Sequence, residues 1–118
     1  ISMQSSEIWD HAQLSSSLGV MQQIMPKLIE TFLSQTAKIL ETLDSLSNEQ
    51  LLLTAPSLKG SAGQLCCKRL SNTAAKIEQD LKLESPENSA EKRALLLEDL
   101  SAARTLMSEY LRQKQTLA

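Results

Sequence analysis

Between Leu53 and Leu65 the chain reads Leu-Thr-Ala-Pro-Ser-Leu-Lys-Gly-Ser-Ala-Gly-Gln-Leu, and in this stretch residue types and spacing suggest chemistry. Lys59 offers a positive charge suited to a phosphate group, while Gly60 and Gly63 leave backbone on which another chain can come very close. On a helix, Pro56, Gly60 and Gly63 stand at i, i+4 and i+7 and share one face, bordered by Ser61 and Gln64. As a helix interior the composition is unfavourable. Each Gly costs about 0.5–1 kcal/mol relative to Ala and an interior Pro about 3 kcal/mol. Something other than helix stability selects these residues, and an outward strip without side chains beside a lysine reads as a docking surface.

Other chemistries find no support. Ser57, Ser61 and Thr54 carry hydroxyls with no activating base. The single histidine, His11, is remote from the cysteines, and no CxxC or ExxH spacing exists, so neither a metal nor a cofactor is expected. His11, beside Asp10, reads as a surface or capping residue. Cys66 and Cys67 are sequence neighbours in a helical stretch and cannot close an unstrained disulfide; they read as reduced, packed thiols of a cytoplasmic protein. Glu78, Asp80 and Glu84 read as a solvated helix face. No acid–base dyad, metal cluster or phosphate loop can be assembled, so the chain is not expected to be an enzyme.

The elements that must position the strip are helices. The chain has 118 residues, 42% hydrophobic but only 3% aromatic, with a single valine, a core composition that suits helices over strands. Twelve Lys and Arg against fourteen Asp and Glu give a net charge of −2, with no basic block to capture nucleic acid or an anionic membrane. No apolar run approaches the roughly 20 residues of a membrane span, and the N-terminus lacks a basic region followed by an apolar stretch, so no secretory signal is expected. Asp10 is positioned to cap a short helix through about Leu18, ended by Gly19, with Trp9 anchoring this lid on the core. Ile24, Leu28, Phe32, Ile39, Leu43 and Leu46 predict a long amphipathic helix from about Val20 to Leu46, with Pro26 tolerated near its start. After a Ser47-Asn48 cap, Leu51, Ala55, Leu58, Ala62 and Leu65 draw one apolar stripe; Leu70, Ala74, Ile77 and Leu81 draw another. Ser85 as cap and Pro86 at the first helical position open a last helix with Leu96, Leu100, Ala103, Met107, Tyr110 and Leu111 inward. Four stripes with short connections predict an all-α fold, an antiparallel four-helix bundle with a short N-terminal lid helix.

The stretch Ala55-x-Ser57-Leu58-Lys59-Gly60-Ser61-Ala62-Gly63-x-Leu65 resembles the signature of histidine phosphotransfer (HPt) domains, roughly A-H-x-L-K-G-S-A-x-x-L-G. The Leu70, Ala74, Ile77 and Glu78 spacing of the following helix fits as well. The resemblance implies a phosphorelay module of two-component signal transduction, with residues 1–8 a tail and 9–117 a single domain, such as ends many bacterial hybrid sensor kinases. It implies response-regulator receiver domains as partners, docking at Pro56, Lys59, Gly60, Ser61, Gly63 and Gln64. It also implies a monomeric, cytoplasmic domain, tethered to the inner membrane only through an upstream kinase. The sequence departs from the pattern where the family carries its phosphoacceptor histidine: Pro56 stands there, without a nucleophile, so transfer through this site is not expected. A second departure is Cys66, where a glycine is usual.

Blander readings compete. Lys59 as a solvated lysine, with glycines that admit a neighbouring helix, is one; Pro56 ending a helix, with the glycines in a loop, is another. A third is a helical interaction module that binds a partner helix through a stripe of Leu33, Leu40 and Leu52.

Overall fold

The structure, a computed structural model, describes residues 7–83 and 89–117. A short helix α1 (His11–Leu18) leads through a 3-10 segment (Gly19–Ile24) into α2 (Met25–Thr42), and a second 3-10 turn (Leu43–Ser45) precedes α3 (Asn48–Gln64). Helices α4 (Lys68–Lys82) and α5 (Ser89–Leu117) complete an antiparallel four-helix bundle with α1 as a lid. Helix α3 packs chiefly against α4, and α5 lies against both α4 and α2. The expected Ser85 cap, Pro86 and Glu84 lie outside the described residues.

Local signals account for the helix starts. Asp10 caps α1, its carboxylate accepting from the Gln13 amide at 3.0 Å, and Gly19 ends the helix with φ +54°, a conformation that glycine adopts without a side-chain clash. Pro26 sits in the first turn of α2, where its missing N–H costs nothing. At α3 the cap is reciprocal: the Ser47 hydroxyl accepts from the Gln50 amide at 3.1 Å, and the Gln50 side chain accepts from the Ser47 amide at 3.3 Å.

The stripe of α3 is as predicted, with Leu51, Ala55, Leu58, Ala62 and Leu65 all buried. Leu70, Ala74 and Ile77 of α4 and Leu96, Leu100, Ala103 and Met107 of α5 face them, and Trp9 seats the lid on this core. Helix α2 corrects its prediction in two respects. It begins at Met25, because Met21 (φ −92°, ψ 16°) interrupts the α-helical backbone and leaves Val20 and Met21 exposed. Its buried stripe is Met25, Ile29, Phe32 and Thr36, continued by Leu43 in the 3-10 turn and rotated from the expected one, so that Leu28 and Ile39 are only half-buried and Ile24 is exposed. Thr36 enters the stripe because its hydroxyl donates to the Phe32 carbonyl at 2.8 Å and accepts from Arg104 at 2.6 Å, leaving no polar atom unsatisfied.

Polar ties between helices set the rest. Asp99, 3% exposed, accepts from Thr73 at 2.7 Å and pairs with the Arg69 Nε at 3.0 Å, joining α5 to α4. Arg93 donates from Nη1 to the carbonyls of Leu43 (3.0 Å) and Leu46 (2.6 Å) and from Nη2 to Asn48 Oδ1 (3.1 Å), holding the α2–α3 connection against α5. Cationic donors suit carbonyls at the end of a helix.

Candidate docking site on helix α3

Helix α3 runs unbroken from Asn48 to Gln64 with Pro56 at its middle, so the proline does not end a helix and the glycines do not form a loop. Four core residues of α3, Leu51, Ala55, Leu58 and Ala62, are pinned at 0–1% exposure. The opposite face therefore has to point outward, and Pro56, Lys59, Gly60, Gly63 and Gln64 are all exposed there, with Ser61 half-buried at its edge. A Cβ added at Gly60 would meet nothing within 4 Å, and one at Gly63 would meet only the Ser71 hydroxyl at 4.0 Å. Among the described residues these glycines serve no close contact inside the fold; they leave an open strip.

Two neighbours of this strip do not stand out in the sequence. Leu53, one turn before Pro56, is 78% exposed and extends the strip with a large apolar side chain. Its position three residues before Pro56 was the available signal. The second is Glu78 of α4. Its side chain is 16% exposed and pairs with Lys82 at 3.1 Å and with Lys59 at 3.9 Å, so it is a lysine anchor instead of part of a solvated face. Asp80, read the same way, is likewise tied, to Lys92. The Ser71 hydroxyl donates to the Lys59 carbonyl at 3.3 Å, a second tie between α4 and the strip. Lys59 remains about half exposed and is held beside Gly60 and Gly63.

The C-terminal end of the strip is closed by a turn that the sequence conceals. Cys66 has φ +62°, its amide donates to the Gly63 carbonyl at 3.2 Å, and the Cys67 amide donates to the Ala62 carbonyl at 2.8 Å. That is the Schellman pattern of a helix end, which favours glycine at the residue Cys66 occupies. The two cysteines thus lie in the α3–α4 turn and not within a helix, and the backbone at Cys66 is one that favours glycine. Both thiols are unbridged. Burial pushes the Cys67 thiol up from 9.0 to about 12, with Cys66 beside it adding to the shift. Cys66 is also raised, by burial and then by Asp10, against the opposing pull of Lys68. Neither is poised as a nucleophile. The lid grips the same turn: the Asp10 amide donates to the Cys66 carbonyl at 2.9 Å and its carboxylate lies 3.8 Å from Lys68.

His11 sits on the lid against Trp9 and Tyr110, with ring centroids 5.3 and 4.7 Å away. Among the described residues no group of His, Cys, Asp and Glu could hold a metal ion, and no helix is long and apolar enough to cross a membrane. Leu33 and Leu40 pack half-buried on the core and Leu52 is also half-buried, so these three form no fully exposed apolar stripe.

Compared with known protein families, residues 27–106, about two thirds of the chain, match the model of the Hpt domain. No curated protein and no solved structure matches the chain.

Proposed function

The chain belongs to the Hpt domain family, phosphorelay modules of two-component signalling that interact with response-regulator receivers, and on that premise we propose that it docks receiver domains without relaying phosphate. The observation that carries this reading is the open strip of α3: Leu53, Pro56, Gly60 and Gly63 face outward, and among the described residues none covers the glycines. Backbone exposed in this way admits a partner helix at short distance, Leu53 supplies apolar area, and Lys59 supplies a charge for the acidic, phosphate-bearing site of a receiver. Pro56 takes the place of the phosphoacceptor histidine. No imidazole can attack an acyl phosphate there, and Ser57 and Ser61 have no base to activate them.

A domain that docks but does not accept phosphate occupies the receiver and keeps active phosphotransfer partners away, a competitive role fixed by mass action. The resemblance to terminal domains of hybrid sensor kinases supports a cytoplasmic setting with such a kinase as the parent protein, and a monomer as the isolated domain. Residues Pro56, Lys59, Gly60, Ser61, Gly63 and Gln64 form the contact.

The test is phosphoryl transfer from a radiolabelled receiver domain to this chain and, in parallel, to its Pro56→His variant, together with an NMR titration of each by the receiver. We expect label on the variant alone and amide shifts from Leu53 to Gln64 in both. Label on the unmodified chain would mean that the acceptor lies elsewhere. A titration that leaves the α3 amides unmoved, with several receivers tried, would refute docking.

A further inference from the structure

A groove of about 620 Å³ lies between α2 and α5, away from the α3 strip, with Leu40 on one side and Arg104, Thr105, Ser108, Glu109 and Arg112 of α5 on the other. Its fixed point is Arg104. The Arg104 Nη1 donates to the Leu33 carbonyl and to the Thr36 hydroxyl, both at 2.6 Å, and Thr36 is itself buried and committed to the Phe32 carbonyl. These bonds hold a half-buried guanidinium in one orientation and leave its Nε and Nη2 without a partner among the described residues. The half-buried cations Arg69 and Lys92 each face a carboxylate, Asp99 and Asp80; Arg104, like Arg93, meets only neutral acceptors, and unlike Arg93 it lines an open groove. A guanidinium partly withdrawn from water without a counter-charge carries an unreturned desolvation cost, and an oxyanion arriving at its remaining edge returns it.

We propose that this groove binds a small organic phosphate, with the phosphate oxygens on the Nε and Nη2 edge of Arg104 and the organic part against Leu40. A planar guanidinium already fixed by its other nitrogen is suited to bidentate phosphate recognition, because little side-chain freedom is left to lose. Ser108, one turn beyond Arg104, supplies a hydroxyl donor, and Arg112, a further turn on, adds positive charge to the same wall. The Thr105 hydroxyl donates to the Ser101 carbonyl at 2.9 Å and so presents only lone pairs, which makes it a spectator. Glu109 opposes the anion from the same wall. The volume falls within the roughly 300–1,000 Å³ of small-molecule sites. This inference does not rest on receiver docking.

The experiment is an NMR titration of the whole chain with adenosine monophosphate and, separately, with inorganic pyrophosphate, with sodium chloride at matched ionic strength as control. Saturable shifts at the Arg104 side chain and the Ser108 amide are expected at millimolar nucleotide. Arg112→Gln should weaken binding and Glu109→Gln should tighten it, each by about two- to fivefold, the scale of an exposed charge contact. The opposed signs cannot both arise from misfolding. Pyrophosphate binding as tightly as the nucleotide would remove the role of Leu40 and overturn an organic ligand. Shifts that do not saturate, that chloride reproduces, or that neither variant alters would overturn the site.

Discussion

Replacing Pro56 by alanine should make this domain more stable. Pro56 lies mid-helix in α3, far from the first turn where a missing N–H is harmless, so the Leu52 carbonyl loses its helical donor and the ring presses on the preceding turn. Bending could relieve the pressure only by moving Ala55 and Leu58, which flank the proline and are 0% and 1% exposed in the core. The helix is therefore held unbroken against its own preference. Loss of the hydrogen bond accounts for about 1 kcal/mol, and ring clash brings the total towards the ~3 kcal/mol of an interior proline. A gain of about 2–3 kcal/mol is expected for Pro56→Ala, which at this chain length is a rise in Tm of roughly 10 °C. Pro56→His should gain slightly less, and Pro56→Gly about 1 kcal/mol less than alanine, following helix propensity. Urea denaturation followed by far-UV circular dichroism and by Trp9 fluorescence reports the helices and the buried lid anchor separately. Coincident transitions with an unchanged m-value would confirm that only stability moved. Equal or lower stability of Pro56→Ala would refute the reasoning and mean that the bundle is built around the proline.

Cys66→Gly should stabilise the α3–α4 turn by about 1 kcal/mol, because φ +62° strains a residue with a Cβ, and calorimetry of the variant against the parent reads it directly. The raised Cys67 thiol fixes the sign of an alkaline dependence: its folded value of about 12 exceeds the unfolded 9.0, so its contribution is complete below pH 9 and is lost as pH rises from there towards 12. Urea midpoints should fall over that range, less so in Cys67→Ala, and Cys66 should be alkylated before Cys67 in the folded protein. Asp99→Ala removes the carboxylate shared by Arg69 and Thr73 and should cost about 2–3 kcal/mol, at the low end for a buried pair because Arg69 is partly exposed; chemical denaturation decides it.

Much of the architecture was legible because its causes are local. The α3 stripe from Leu51 to Leu65 follows from a period of 3.6, and Asp10, Gly19, Pro26 and Ser47 act through backbone groups within a few residues of themselves. The outward placement of Pro56, Lys59, Gly60 and Gly63 follows from the same period, since burying one face exposes the other. The family too was legible in the motif from Ala55 to Leu65, and the family match over residues 27–106 agrees with it.

The misreadings share one physical origin. Periodicity states which face of a helix is inward, but not which side chain of another helix it meets. Glu78 reads as a surface acid until α4 is laid beside α3 and Lys59 closes on it. Thr36 reads as a polar position outside the stripe of α2 until Arg104, 68 positions along the chain, supplies the partner that makes its burial tolerable. Cys66 reads as a helix residue until the close packing of α3 on α4 demands a reversal of the chain there, and with it a positive φ. What the sequence determined by itself is the set of helices, the caps at Asp10 and Ser47, the apolar faces of α3, α4 and α5, and the proline on the outward face of α3. The tertiary structure alone decided the ion pairs of Asp99 and Glu78, the carbonyls held by Arg93, and the groove around Arg104, because each joins residues whose proximity depends on how whole helices pack.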